Sequence, residues 1–309
     1  MAMIQTINLT KRYGDLMALS NLNLEIEQGD AFGFIGPNGA GKTTTIKVLA
    51  TLLKPTWGEA RIDGLSVGPV NARQVRSVIG YVPDFFGSYE DMVVKEYLEF
   101  FAATYNINGA QRRQVMDDVL ALTDLTHKAD ADVNSLSRGM QQRLSVARVL
   151  LHDPKVLLMD EPASGLDPRA RIEMRELLKE LHRMGKTILI SSHILLELAD
   201  LCNKVGIIEQ GELKFVGTTQ EMLERARTGN VVNVTVDRPD AAADALRQQP
   251  GVLGVERGGA ILKVNLDTNT TAADIASKLV HDGYRLMELE EEKVNLETAF
   301  MRLTKGLVQ

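Results

Sequence analysis

Hydrophobic and polar positions alternate near the start of the chain. Ile4, Thr6 and Asn8 stand against Gln5, Ile7 and Leu9, and farther on Leu22, Leu24 and Ile26 alternate with polar neighbours. A period of two is what a half-exposed strand imposes, so the opening predicts an antiparallel β layer. Continuous apolar runs follow at residues 31–35, 78–82, 156–159, 187–191 and 205–208. Such runs suit strands buried on both faces, and the helix-compatible stretches between them predict an α/β core. Over 93–103 and 111–122 the apolar spacing becomes helical with charges between, which predicts a helical subdomain at about 85–152.

The rhythm changes after Gly217. A polar stretch at 218–230, containing Gly229, reads as a linker between a first domain at 1–217 and an accessory domain at 231–309. In the second domain the pattern predicts strand 231–236, helix 240–248, strands 252–257 and 261–266, helix 272–282 and strand 284–289, with a short closing helix at 298–303. That order, β-α-β-β-α-β, is the ferredoxin-like pattern.

Composition narrows the classes. With 309 residues, 44% hydrophobic and 25% charged, the chain has the make-up of a globular protein with two cores. A net charge of −6 gives no general attraction to nucleic acid, so no nucleic-acid partner is expected. The single cysteine, Cys202, excludes an internal disulfide and fits a reducing cytosol. The N-terminus lacks a leader pattern and no uncharged apolar run nears 18 residues, so the chain is expected neither to leave the cytosol nor to span a membrane by itself.

The candidate chemistry starts at Gly36-Pro37-Asn38-Gly39-Ala40-Gly41-Lys42-Thr43-Thr44, between the apolar run 31–35 and the helix-compatible run 43–53. Glycines there allow successive N–H groups to point at phosphate oxygens, and a helix N-terminus adds partial positive charge. Lys42 is then placed to reach the β- and γ-phosphates of a nucleotide, and the Thr43 hydroxyl to hold Mg²⁺. A second signal is the acid pair Asp160-Glu161 at the end of the run 156–159. Asp160 suits the hydration shell of Mg²⁺; Glu161 suits the orientation and deprotonation of an attacking water.

With Leu136-Ser137-Arg138-Gly139-Met140-Gln141-Gln142-Arg143 the chain resembles the ATP-binding cassette (ABC) family, over about two thirds of its length. The segment 36–43 looks like that family's Walker A loop, 156–161 its Walker B strand, Ser164-Gly165-Leu166-Asp167 its D-loop and His193 its switch histidine. Tyr13 matches the aromatic residue on which the family stacks adenine. The resemblance implies a P-loop NTPase core with an antiparallel β layer and a helical subdomain. It also implies a homodimer in which Ser137 and Gly139 of one copy face the nucleotide held by the other, with Asp167 at the dimer interface. Two positions depart from the family pattern. Asp84 stands where glutamine is usual, and could still coordinate Mg²⁺; Arg138 and Met140 replace glycine and glutamine in the signature, with Arg138 expected to offset the charge of Asp84 or of phosphate.

Both departures resemble the subfamily that powers export through separate permeases, as does the C-terminal domain. The implied function is ATP hydrolysis that drives export of an unidentified substrate through a polytopic membrane permease, from the cytoplasmic face of the cell membrane. Phe85, Phe86 and Tyr89, where core meets helical insert, are the candidate grip on that permease. A soluble ABC ATPase of nucleic-acid maintenance or translation is the rival reading.

Overall fold

The structure, a computed structural model, describes residues 2–85, 87, 92–226, 230–267, 269–291 and 296–304. The chain divides into two compact units. One runs from the N-terminus to Thr219 and takes in the chain again at Leu303; the other is Gln220–Arg302.

The first unit opens with β1 (Ala2–Tyr13) and β2 (Leu16–Glu27), followed by β3 (Ala31–Ile35), α1 (Lys42–Leu49), β4 (Trp57–Ile62), β5 (Leu65–Ser66), α2 (Ala72–Val78) and β6 (Ile79–Val82). The helical insert comprises α3 (Val94–Thr104), α4 (Gly109–Leu122) and α5 (Arg138–Leu150). The unit closes with β7 (Val156–Asp160), α6 (Pro168–Arg183), β8 (Thr187–Ser192), α7 (Leu195–Ala199), β9 (Lys204–Glu209) and β10 (Glu212–Gly217).

Two sheets organise it. The antiparallel sheet has the order β2-β1-β4-β5, and alternation buries Leu22, Leu24 and Ile26 while their neighbours face solvent. The six-stranded sheet has the order β10-β9-β3-β8-β7-β6. Its five strands β9, β3, β8, β7 and β6 are parallel, with β10 antiparallel on the edge. Strands β3, β7 and β8 are buried along their whole length, as continuous apolar runs require. Helix α1 packs between the sheets: Ile46, Val48 and Leu49 join Leu24, Ile26, Phe32 and Leu158 in one core.

Helix starts follow local chemistry. Ser137 caps α5 by accepting from Met140 N at 3.3 Å, and Asp167 caps α6 by accepting from Ala170 N at 2.9 Å, with Pro168 in the first turn. Helix α1 stops at Leu49, short of the expected residue 53, because Thr51 takes φ +63° and the Leu52 and Leu53 amides turn back to Lys47 O.

The second unit contains β11 (Asn230–Val236), α9 (Pro239–Arg247), β12 (Val252–Gly258), β13 (Ile261–Leu266), α10 (Ala272–His281) and β14 (Leu286–Glu291), with all but the first residue of α8 (Thr219–Ala226) and all but the last of α11 (Leu296–Leu303). Its antiparallel sheet has the order β12-β13-β11-β14 and packs Val232, Val234, Leu262 and Val264 against Ala243, Leu246, Ile275 and Leu279. The stretch expected as a linker, 218–230, carries helix α8 instead. Met222, Leu223 and Ala226 recur at helical spacing among the polar residues, and Met222 is fully buried.

Candidate functional site

The loop after β3 is shaped by close approaches that only glycine tolerates. A Cβ on Gly36 would lie 2.2 Å from Ile208 O on β9. Gly41 has φ +109°, and a Cβ there would lie 2.7 Å from both Ala18 O and Leu19 Cδ2 on β2. Gly41 is the N-cap of α1 and no side chain caps that helix, so its first-turn N–H groups are left to bind an anion. The Lys42 side chain is buried, and its Nζ donates to Gly36 O at 2.6 Å and Pro37 O at 3.1 Å. Burial pushes the ammonium below its usual range, and the Glu161 and Asp160 carboxylates act against that.

Strand β7 delivers the acid pair beside this loop. Asp160 is paired in register with Ser191 on β8 and is 1% exposed. Its Oδ1 accepts from Ser191 Oγ at 2.7 Å and from Thr43 Oγ1 at 3.1 Å. Its Oδ2 is buried and has no hydrogen-bond partner among the described residues. Burial raises the carboxyl above the usual range, the Ser191 and Thr43 hydrogen bonds lower it, and the Asp84 and Glu161 charges raise it. Glu161 turns the other way on a left-handed backbone, φ +47°, a conformation that costs a non-glycine residue on the order of 1 kcal/mol. Its Oε1 lies 3.5 Å from Lys42 Nζ, and its Oε2 lies 2.8 Å from His193 Nδ1. A carboxylate accepts, so Nδ1 is the donor in that bond.

Lys42, Thr43, Asp160, Glu161 and His193 therefore meet at the ends of β3, β7 and β8, joined by contacts of 3.5 Å or less. Ser191 completes the set: besides bonding Asp160, its Oγ accepts from Glu161 N at 3.0 Å. Sequence reasoning missed that role, since a serine ending an apolar run carries no signal; only its register opposite Asp160 reveals it.

A cleft of about 230 Å³ opens above the loop, lined by Tyr13, Leu16, the segment 38–44 and Glu161. Tyr13 is 45% exposed and has Lys11 Nζ 5.0 Å from its ring centroid. Asn38, Gly39, Thr43 and Thr44 all reach this cleft. Ser137, Arg138, Gly139 and Asp167 are gathered elsewhere, where the starts of α5 and α6 meet. A Cβ on Gly139 would lie 2.7 Å from Ala170 Cβ, and one on Gly165 would lie 2.5 Å from Arg138 Cζ. Arg138 thus packs on its own chain's Gly165, which has no side chain to keep the guanidinium off. Asp84 is exposed beyond β6 and acts on Asp160 through space. Phe85 is 77% exposed; Phe86 and Tyr89 lie outside the described residues.

The oxygen set suits a hard divalent cation. The unpartnered Asp160 Oδ2 and the Thr43 hydroxyl are oxygen ligands of the kind Mg²⁺ takes, with phosphate and water oxygens as the usual remainder. Among the described residues no group of three or more His, Cys, Asp and Glu side chains could hold a metal ion by itself, and no helix is long and apolar enough to cross a membrane.

Comparison with known proteins agrees with this geometry. A family model described as ABC transporter matches residues 19–164. The Nod factor export ATP-binding protein I of Cupriavidus metallidurans is 40% identical over 245 residues, 79% of this chain and 80% of that protein. The linearmycin resistance ATP-binding protein LnrL of Bacillus subtilis is 29% identical over 306 residues, 98% of each chain. Among solved structures, the dimeric ATP-binding cassette MJ0796 in a post-hydrolysis state, bound to ADP and Pi, superposes with a TM-score of 0.63 at 28% identity, covering 70% of this chain and 98% of that one.

Proposed function

This chain belongs to the ABC transporter family, and we propose that it is the ATP-binding and ATP-hydrolysing subunit that powers export of a cargo through a separately encoded permease. The observation that carries the chemistry is Glu161, whose two oxygens are split between Lys42 and His193 at adjacent strand ends. Glu161 takes a proton from the attacking water, whose oxygen bonds to the γ-phosphorus as the bond to the β–γ bridging oxygen breaks. Lys42, the loop amides and the start of α1 bind the charge that builds on the β- and γ-phosphates. His193 holds the second oxygen of Glu161 in place and keeps Nε2 for a water or phosphate contact. Thr43 and Asp160 would hold Mg²⁺, and Asp84, whose charge acts on Asp160, would join its hydration shell. When bound, the ion neutralises phosphate charge. Tyr13 offers its exposed ring to adenine.

One copy supplies one nucleotide cleft, and the Ser137–Gly139 segment lies away from it. A homodimer that brings the partner's α5 N-terminus, with its Ser137 cap, against the γ-phosphate completes the site, and the dimeric MJ0796 cassette supports this arrangement. Two relatives of matching length are named for Nod factor export and linearmycin resistance, which supports export and leaves the cargo to the permease. Exposed Phe85 is the described part of the surface that would receive that permease at the cytoplasmic face of the membrane. For the second unit, the strand order β12-β13-β11-β14 with two helices on one face supports a ferredoxin-like accessory domain that braces the dimer.

The test is Glu161→Gln. It should keep ATP affinity, lose about 10²–10³ in hydrolysis rate, and co-purify one polytopic membrane protein from native membranes with Mg·ATP. Undiminished hydrolysis would remove Glu161 from its role; recovery of ribosomal or DNA-bound proteins without a membrane protein would overturn the transport reading.

A further inference from the structure

A second cavity, of about 480 Å³, lies behind the strand ends that carry Glu161 and Ser191, walled by the 162–165 loop, α6 and α7. Its size falls in the range of small-molecule sites, and its lining is mainly apolar, with Leu178, Ile190, Leu198 and Leu201 all buried. Arg175 also lines it. The Arg175 Nε is buried without a hydrogen-bond partner among the described residues, and Nη1 reaches Asp200 Oδ2 only at 3.8 Å. An apolar chamber edged by a guanidinium whose ion-pair contact is as long as 3.8 Å is complementary to a molecule with an apolar body and one anionic head.

We propose that this cavity is a regulatory site for a small amphiphilic carboxylate, its head paired with Arg175 and its body against Leu178, Ile190 and Leu198. The cavity shares one lining residue with the nucleotide cleft, Glu161, and His193 borders it as well. An occupant therefore presses on the back of the Glu161–His193 pair while leaving Tyr13 and the phosphate loop untouched. The predicted effect, which rests on Glu161 as the base, is a lower kcat with an unchanged KM for ATP.

Decanoate is the probe. Calorimetric titration of the full chain below the micellar range should give saturable binding of one molecule per chain. Arg175→Met should weaken it about tenfold while leaving basal hydrolysis in place, and Leu178→Trp should block it by filling the chamber. Absence of saturable binding, or binding that ignores both substitutions, would overturn the site. Saturation with an unchanged kcat would overturn its regulatory role. The titration needs no hydrolysis, so failure of the site is seen there, whereas failure of the Glu161 reading appears as undiminished hydrolysis in Glu161→Gln.

Discussion

Asp160 concentrates the conflict between stability and chemistry in one side chain. One of its oxygens accepts two hydrogen bonds, and the other is buried with none among the described residues. A buried acceptor without a partner costs about 1–3 kcal/mol, and more when it is charged. Asp160→Asn keeps an acceptor for Thr43 and Ser191 and removes the charge, so the nucleotide-free variant should melt a few degrees higher and lose Mg²⁺-dependent hydrolysis. Thermal denaturation and phosphate release check the pair of outcomes; a lower melting temperature would mean that the charge is not the destabilising element. Lys42, Thr43, Asp160, Glu161 and His193 could be named from sequence because phosphate chemistry demands particular residue types at particular spacings. Ser191 could not, since its contribution comes from cross-strand register, nor could the Arg138 contact, which depends on the bare backbone of Gly165 farther along the chain.

Among the elements, the crossing of α5 on α6 is set by contacts too close for side chains. Gly139 meets Ala170 where a Cβ would leave only 2.7 Å. Gly139→Ala should force the two helix starts apart at about 1–3 kcal/mol, and Ala170→Gly in the same chain should recover part of the loss. Urea denaturation of the single and double variants measures both; independent, additive effects would exclude the contact as the cause. Elements with strong periodicity or long apolar runs, such as β2, β3, β7 and β8, were legible from sequence. Helix α8 was not, because Met222 is the one buried residue among its described side chains, within a polar segment. Strand β4 was missed for a similar reason: only Ala60 and Ile62 are buried among its six residues.

At the scale of the whole molecule, which strands pair was the least legible property, because the partner of β3 has no local signal. The order β9-β3-β8 means that the strand leading into the phosphate loop lies between two strands made much later. Near its start, Gly29 N donates to Thr187 Oγ1, 158 residues on, and Ala31 N to Asn203 Oδ1, 172 residues on. Contacts that distant in sequence form late and slowly, after loop closure has been completed. During synthesis, then, the ribosome has released most of the first unit before β3 gains either neighbour. The matched stretch 19–164 holds the loop, the signature segment, Asp160 and Glu161, yet lacks both flanking strands. A fragment of residues 1–165 should bind no fluorescent ATP analogue, while 1–219 should bind it; binding by the shorter piece would refute this order of assembly. A nascent chain can thus carry nearly every nucleotide-binding motif and still be blind to ATP until its last parallel strands arrive.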